Sequence, residues 1–352
     1  MTIKVLVVDD SAFMRKVITE ILEQQPDIQV VATARNGQDA LEKLQKLDVD
    51  VVTLDLEMPV LDGLSTLKEI MNSNPLPVIL LSSMTQRGSE ITMKALSLGA
   101  VDFIPKPSGA ISLDLHTVSE ELITKVRSVA GIQVKKPIAT EPKKISISPT
   151  VSTRKPVSVK PGEISDNLVV IGSSTGGPRA LEEIFLSLPE NINAGIVVVQ
   201  HMPKGFTHSF AERLNSISSV HVKEAEEGDY IKNGHALIAP GDYHLVIDSQ
   251  KQIRLNQSAP VQYLRPAVDV TMLHLPNVFK SNIIGVILTG MGRDGAEGMA
   301  RIKQLGGFTI AQDRATSTIY SMPKAVIESG NADYILPIDS IADCIVRLLG
   351  NM

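Results

Sequence analysis

The sequence predicts an α/β protein in two parts, each a mainly parallel sheet doubly wound by helices, with a flexible strip between them. Three observations carry this. The chain has 352 residues, long for one domain and sufficient for two cores. Short apolar runs alternate with amphipathic stretches of 10 to 15 residues, the pattern of a parallel sheet covered on both faces. Between the two patterned blocks lies a stretch with neither a helical nor a strand period.

In the first block the strand runs are KVLVVDD, QVVATARNG, VDVVTLDLEMP, PVILLSS and VDFIPKP, each followed by a helical stretch. The second block repeats the alternation from LVVIG through AGIVVVQ, IIGVILTG and GFTIAQD, with a β-richer interlude, GHALIAPGDYHLVIDSQKQIRLN, between the second and third runs. The strip between the blocks holds 7 basic residues against 1 acidic over positions 133 to 162, with five prolines and no aromatic side chain. Such a sequence buries too little surface to offset its chain entropy, so it reads as a solvated spacer. The expected division is 1–127, a linker at 128–163, and 164–352.

Composition narrows the function classes. Hydrophobic residues at 43% and charged residues at 21% describe a soluble globular chain, and no apolar run approaches the roughly 20 residues of a membrane span. The start, MTIKVLVVDDSA, carries aspartates where a signal peptide needs a cleavage site, so a cytoplasmic protein that is not membrane-inserted is expected. The lone cysteine, Cys344, lies in an amphipathic pattern and reads as a core residue, which excludes a cysteine metal cluster.

In doubly wound sheets, ligands sit beyond the carboxyl ends of the strands. In the first block those ends hold Asp9, Asp10, Asp55, Ser82 and Lys106. Three carboxylates gathered there repel one another unless a cation joins them, and oxygen ligands suit Mg²⁺. With a lysine and a hydroxyl beside them, they are what an aspartyl phosphate needs. VVDD, the Asp55 of LDLEMPVLDG, LLSS and FIPKP make this block resemble a response-regulator receiver domain, which implies a (βα)5 fold. The resemblance further implies that Asp55 is phosphorylated by a histidine kinase and that Asp9, Asp10 and Asp55 hold the Mg²⁺. Ser82 and Lys106 then sense the phosphoryl group, and Phe103 stands at the place of an aromatic switch residue.

In the second block the first strand breaks into GSSTGG. Its glycine spacing departs from the dinucleotide fingerprint G-x-G-x-x-G, and no P-loop lysine follows. GSSTG does fit G-x-S-x-G, a turn that holds up a nucleophilic serine, without distinguishing Ser173 from Ser174. Such a serine requires a base, and the block holds six of the seven histidines. His201, at the end of AGIVVVQ, belongs to the same sheet edge, whereas His244 reads as structural. Asp294 and Asp313 also end strands; Asp294 is preferred as the acid because its glycine-rich turn offers N–H groups to an oxyanion.

IGSSTGGP, VVVQHMPKGFTHSFAERLN, APGDYHL, LTGMGRDGAEGM and AQDRATSTIYSMP, behind a receiver-like block and a basic strip, make nearly the whole chain similar to the chemotaxis protein-glutamate methylesterase (CheB) family. That resemblance implies Ser174 as nucleophile, His201 as base, Asp294 as acid and the backbone of Met291 in the oxyanion hole, with Thr175 beside the nucleophile. It implies hydrolysis of γ-glutamyl methyl esters on the cytoplasmic helices of chemoreceptors, deamidation of receptor glutamines, and no cofactor in the catalytic domain. Arg293 stands where asparagine is expected in many relatives. A nucleic-acid-binding output is the rival reading, but residues 163 to 352 are acidic and βα-patterned rather than basic and helix-turn-helix; no nucleic-acid partner is expected. A hydrolase of this fold acting on another substrate is the third.

Overall fold

The computed structural model describes residues 2–106, 114–132, 134 and 161–351, so most of the expected linker lies outside the described residues. The first domain runs β1 (Ile3–Val8), α1 (Ala12–Glu23), β2 (Ile28–Ala34), α2 (Gly37–Leu44), β3 (Val51–Asp55), α3 (Gly63–Ser73), β4 (Val78–Ser82), α4 (Gln86–Ser97), β5 (Asp102–Pro105) and α5 (Asp114–Val129). Its five strands form one parallel sheet in the order β2-β1-β3-β4-β5. The apolar runs are buried because helices cover both faces. The first four helices open on short polar side chains, Ser11, Asn36, Asp62 and Thr85, each accepting from a first-turn N–H. α5 passes the boundary expected at 127, since Val126 and Val129 both sit in the core under β1 and β3.

The second domain continues β6 (Leu168–Ser173), α6 (Gly177–Ser187), β7 (Gly195–Gln200), α7 (Phe206–Ile217), β8 (His221–Glu224), β9 (His235–Ile238), β10 (His244–Ile247), β11 (Ile253–Asn256), α8 (Val268–Leu273), β12 (Ile283–Ile287), α9 (Ala296–Gln304), β13 (Phe308–Gln312), α10 (Ser321–Glu328), β14 (Tyr334–Leu336) and α11 (Ile338–Leu349). Seven strands form a parallel sheet in the order β14-β13-β12-β6-β7-β9-β8. The β-rich interlude divides between two structures: β9 joins the main sheet, while β10 and β11 pair antiparallel as a separate hairpin. Turn residues 240–242, Pro-Gly-Asp, break the chain between them, and Asp242 adopts a positive φ of 70°. Cys344 is buried on α11, as a core residue.

One apolar core runs from the α2–α4 side of the first sheet into the α6, α7 and α11 side of the second. Across the seam Ser89 and Ser209 hydroxyls lie 2.7 Å apart, and Ser97 donates to Glu182 at 2.6 Å. Among the described residues no helix is long and apolar enough to cross a membrane.

Candidate active site

β6 is the central strand from which the chain first moves to β7 on one side and later to β12 on the other. That is a topological switch point, where a crevice opens beyond the strand ends. The loops leaving these three strands carry Ser174, His201 and Asp294. Each loop turns into a helix through a glycine in the left-handed region, Gly176 at φ 77°, Gly205 at φ 88° and Gly295 at φ 93°, with no side-chain cap on α6, α7 or α9. The positive ends of three helices therefore lie close behind the three side chains, unneutralised by a capping oxygen.

The two serines are in different environments. Ser173 is fully buried and its hydroxyl donates to Gln200 Oε1 at 2.7 Å. Ser174 is half-buried, forms no side-chain hydrogen bond among the described residues, and lines an open cleft of about 650 Å³ with Thr175, His201, Met202 and Met291. Gly290 presses on it so closely that a Cβ there would stand 2.9 Å from Ser174 Cβ and 2.2 Å from Met322 Sδ. Only glycine fits at that contact.

His201 Nε2 lies 2.7 Å from Asp294 Oδ2, and both side chains are almost fully buried. Asp294 Oδ2 also accepts from Val268 N at 2.6 Å, and Oδ1 from Asp269 N at 2.9 Å, so the start of α8 holds the carboxylate. Burial pushes this carboxyl up, but the His201 contact and the two N–H groups outweigh it and hold Asp294 below its ordinary range. With Nε2 facing a carboxylate, the proton belongs on Nε2 and the lone pair on Nδ1. His201 Nδ1 is buried and has no hydrogen-bond partner among the described residues. Asp313 lies one strand further out, where its carboxylate accepts from the Thr316 N–H at 2.9 Å and hydroxyl at 2.7 Å; it does not reach His201. His244 is wholly buried, its Nε2 3.2 Å from the Ala259 carbonyl. Arg293 is exposed on the turn before Asp294.

Four groups that the sequence did not single out complete the site. Gln200 is buried, and its Nε2 donates to the carbonyls of Ser174 and His201 at 3.0 Å each, bracing the two loops together. Its position one residue before His201 was the only signal. Asp102, at the start of β5, accepts from the Thr175 hydroxyl at 2.5 Å and pairs with Lys125 at 3.1 Å, so the first domain touches the residue beside Ser174. Phe206 stacks on Phe103 with ring centroids 4.5 Å apart, both rings buried in the seam.

Asp269 is the fourth. Its carboxylate accepts from Gly298 N at 2.7 Å, so Asp294 sits on the start of α8 while Asp269 reaches back to α9. Burial, with the charge of Asp294 behind it, pushes the Asp269 carboxyl up to about 6 from an ordinary 3.8. The folded chain thus keeps this proton between those values while the unfolded chain has lost it, and stability falls as pH rises through that window. Asp269→Asn keeps an acceptor for Gly298 and removes the titration. Relative to wild type, the variant should gain up to about 3 kcal/mol between pH 3.5 and pH 7 in urea unfolding; a pH-independent difference would contradict the shift.

In the first domain, Asp9, Asp10 and Asp55 each offer an oxygen within 4.8 Å of the others. Asp9 and Asp55 are buried, and Lys106 Nζ lies 2.9 Å from Asp9 Oδ2 and 2.8 Å from Asp55 Oδ2. Burial, with repulsion from Asp9, raises the Asp55 carboxyl above its ordinary value despite that lysine. The three carboxylates form an oxygen-only donor set that suits a hard divalent cation such as Mg²⁺. Ser82 is buried and points elsewhere: its hydroxyl lies 2.6 Å from Thr92 Oγ1 on α4. Ser82 is therefore held by the helix that faces the second domain, and no bond joins it to Asp55.

Residues 169–345 match the CheB methylesterase family, and residues 5–116 match the response regulator receiver domain. A protein-glutamate methylesterase/protein-glutamine glutaminase of Symbiobacterium thermophilum is 50% identical over 357 residues, covering 99% of this chain and 97% of its own. One of the same name from Pyrococcus abyssi is 47% identical, covering 98% of this chain and 93% of its own. The crystal structure of the Thermotoga maritima CheB methylesterase catalytic domain aligns with a TM-score of 0.51 at 49% identity, over 53% of this chain and all of that one.

Proposed function

Because this chain belongs to the CheB methylesterase family and carries a receiver and a catalytic domain in one polypeptide, we propose that it hydrolyses γ-glutamyl methyl esters on the cytoplasmic helices of chemoreceptors. The products are glutamate and methanol, and deamidation of receptor glutamines is the second activity. The observation that carries this reading is a half-exposed serine on the same cleft as a buried histidine–aspartate pair whose free ring nitrogen has no other partner.

The chemistry follows from that geometry. Ser174 Oγ attacks the ester carbonyl as His201 Nδ1 takes its proton, and Asp294 stabilises the imidazolium that forms. The Met291 N–H faces the oxyanion of the tetrahedral intermediate. The C–O bond to methoxide breaks as His201 returns the proton, and methanol leaves an acyl-enzyme. His201 then draws a proton from water, the hydroxide attacks the acyl carbon, and the proton goes back to Ser174 Oγ as the glutamate carboxylate is released. The Ser174 hydroxyl forms no hydrogen bond among the described residues, as is common in unliganded sites.

The receiver controls access. Asp55 accepts a phosphoryl group from a histidine kinase; Asp9, Asp10 and Asp55 are the residues that would hold a Mg²⁺, which would supply charge neutralisation there. Lys106 already touches Asp55, whereas Ser82 must leave Thr92 to reach a phosphoryl oxygen. That exchange loosens the hold of β4 on α4, which packs against α6 and α7 through Ser89 and Ser97. Phe103 and Asp102 sit at the cleft itself, so the same shift acts on Phe206 and Thr175. Methanol release from membranes bearing methylated chemoreceptors is the direct assay. Asp55→Asn should keep the unstimulated rate and lose any increase on addition of acetyl phosphate with Mg²⁺; retained stimulation would place the phosphoacceptor elsewhere.

A further inference from the structure

We propose that the hairpin turn Val261–Leu264 is the substrate-docking tip of this enzyme, with Tyr263 lying on the surface of the helix that presents the ester. The proposal rests on the esterase reading above and adds the surface that holds the partner.

Val261 and Leu264 exchange N–H···O bonds of 3.1 and 2.9 Å, closing a two-residue loop. The two loop residues, Gln262 and Tyr263, both have positive φ, 51° and 65°. Turns of this kind favour Asn-Gly, because glycine adopts that backbone without strain. An aromatic residue there is a costly local choice, and nothing among the described residues repays it: Tyr263 is 101% exposed and Val261 beside it 37% exposed. Strain combined with an unpacked aromatic ring points to a contact made outside the chain.

The turn is held rigidly at its base. The Arg265 guanidinium bonds the Asp242 carboxylate at 2.5 and 3.1 Å and the carbonyls of Gln257 and Ser258 at 3.1 and 2.9 Å. His244, buried below, faces the Ala259 carbonyl at 3.2 Å. A braced loop with a projecting tyrosine loses little freedom on binding, which favours affinity.

Its position selects the occupant. Gln262, Tyr263 and Leu264 line the same cleft as Ser174 and His201. A helix with its side chains is about 10–12 Å across, so a helical glutamyl ester enters the cleft only while the body of its helix rests on the rim. The turn is that rim on the catalytic domain. Side chains three or four residues from the ester share its face of the helix and are the ones within reach of Tyr263. Tyrosine suits this contact, with a flat apolar ring and a hydroxyl that stays wet.

The test compares two esters of different size. On methylated receptor membranes, Tyr263→Ala should raise KM about 5- to 30-fold, the range for truncating an interface tyrosine that anchors binding, while Tyr263→Phe stays near wild type. On N-acetylglutamate γ-methyl ester, which has no helix, the two variants should not differ from one another. A wild-type KM for Tyr263→Ala on receptor overturns the docking role and leaves the esterase reading standing. Equal losses on both substrates also overturn it, since they would assign the turn to support of the site. Absence of receptor methanol release by the wild-type protein itself would remove the esterase reading and the proposal with it.

Discussion

Ser174→Ala is expected to lower methanol release at least about 10⁴-fold, because loss of a triad nucleophile leaves only the residual rate from binding and oxyanion stabilisation. The local structure makes the substitution clean. Ser174 Oγ has no hydrogen bond to lose, the side chain is half-buried, and the loop is held by Gln200 through the Ser174 carbonyl rather than the hydroxyl. Alanine keeps the Cβ that meets Gly290. Folding should therefore be unchanged, and the whole effect should appear in kcat. Ser173→Ala is the matched comparison. It removes a buried hydrogen bond to Gln200, for a cost of about 1 kcal/mol in stability, and should keep far more of the turnover. Comparable rates for Ser174→Ala and wild type would assign the nucleophile to another residue.

Removing residues 1–160 is expected to raise the unphosphorylated esterase rate at least about tenfold, which corresponds to releasing roughly 1.4 kcal/mol of closed-state preference. In the intact chain, the receiver supplies one wall of the cleft through Asp102, Phe103, Glu120, Glu121 and Lys125. Phe103 is clamped on Phe206, and Asp102 on the Thr175 next to the nucleophile. These groups line the cleft that the proposed helical substrate must enter. The seven-stranded sheet and the helices that cover it all lie within residues 161–351, so the cut removes no strand of the catalytic domain. Equal or lower activity of the truncated chain would mean that the receiver assists catalysis rather than blocking access.

Much of this site was legible because it lies where apolar runs stop. Asp9, Asp55, His201 and Asp294 could be placed at two sheet edges from the rule that parallel strands deliver ligands at their carboxyl ends. The choice between Ser173 and Ser174 was not legible from residue type, since adjacent serines in one turn differ only in which way the backbone points them. Burial and the Gln200 bond separate them in space. Phe206 and Asp102 were hidden for another reason: their partners lie 103 and 73 positions away in sequence, across a domain seam that no local pattern encodes. The interlude read as one β unit because alternation alone does not say which sheet a strand joins.

The three glycine-started helices around the cleft bear on what leaves the enzyme as well as on what reacts there. A methyl ester and a carboxamide are neutral; the product of either reaction is an anion. The field that favours the oxyanion also favours that carboxylate. Against it stand the acidic side chains that the receiver adds to the cleft, Asp102, Glu120 and Glu121, which repel a carboxylate and leave an ester or an amide untouched. The two domains thus act on the product with opposite sign, and a catalytic domain without its receiver wall would hold the glutamate it makes more firmly than the intact chain does.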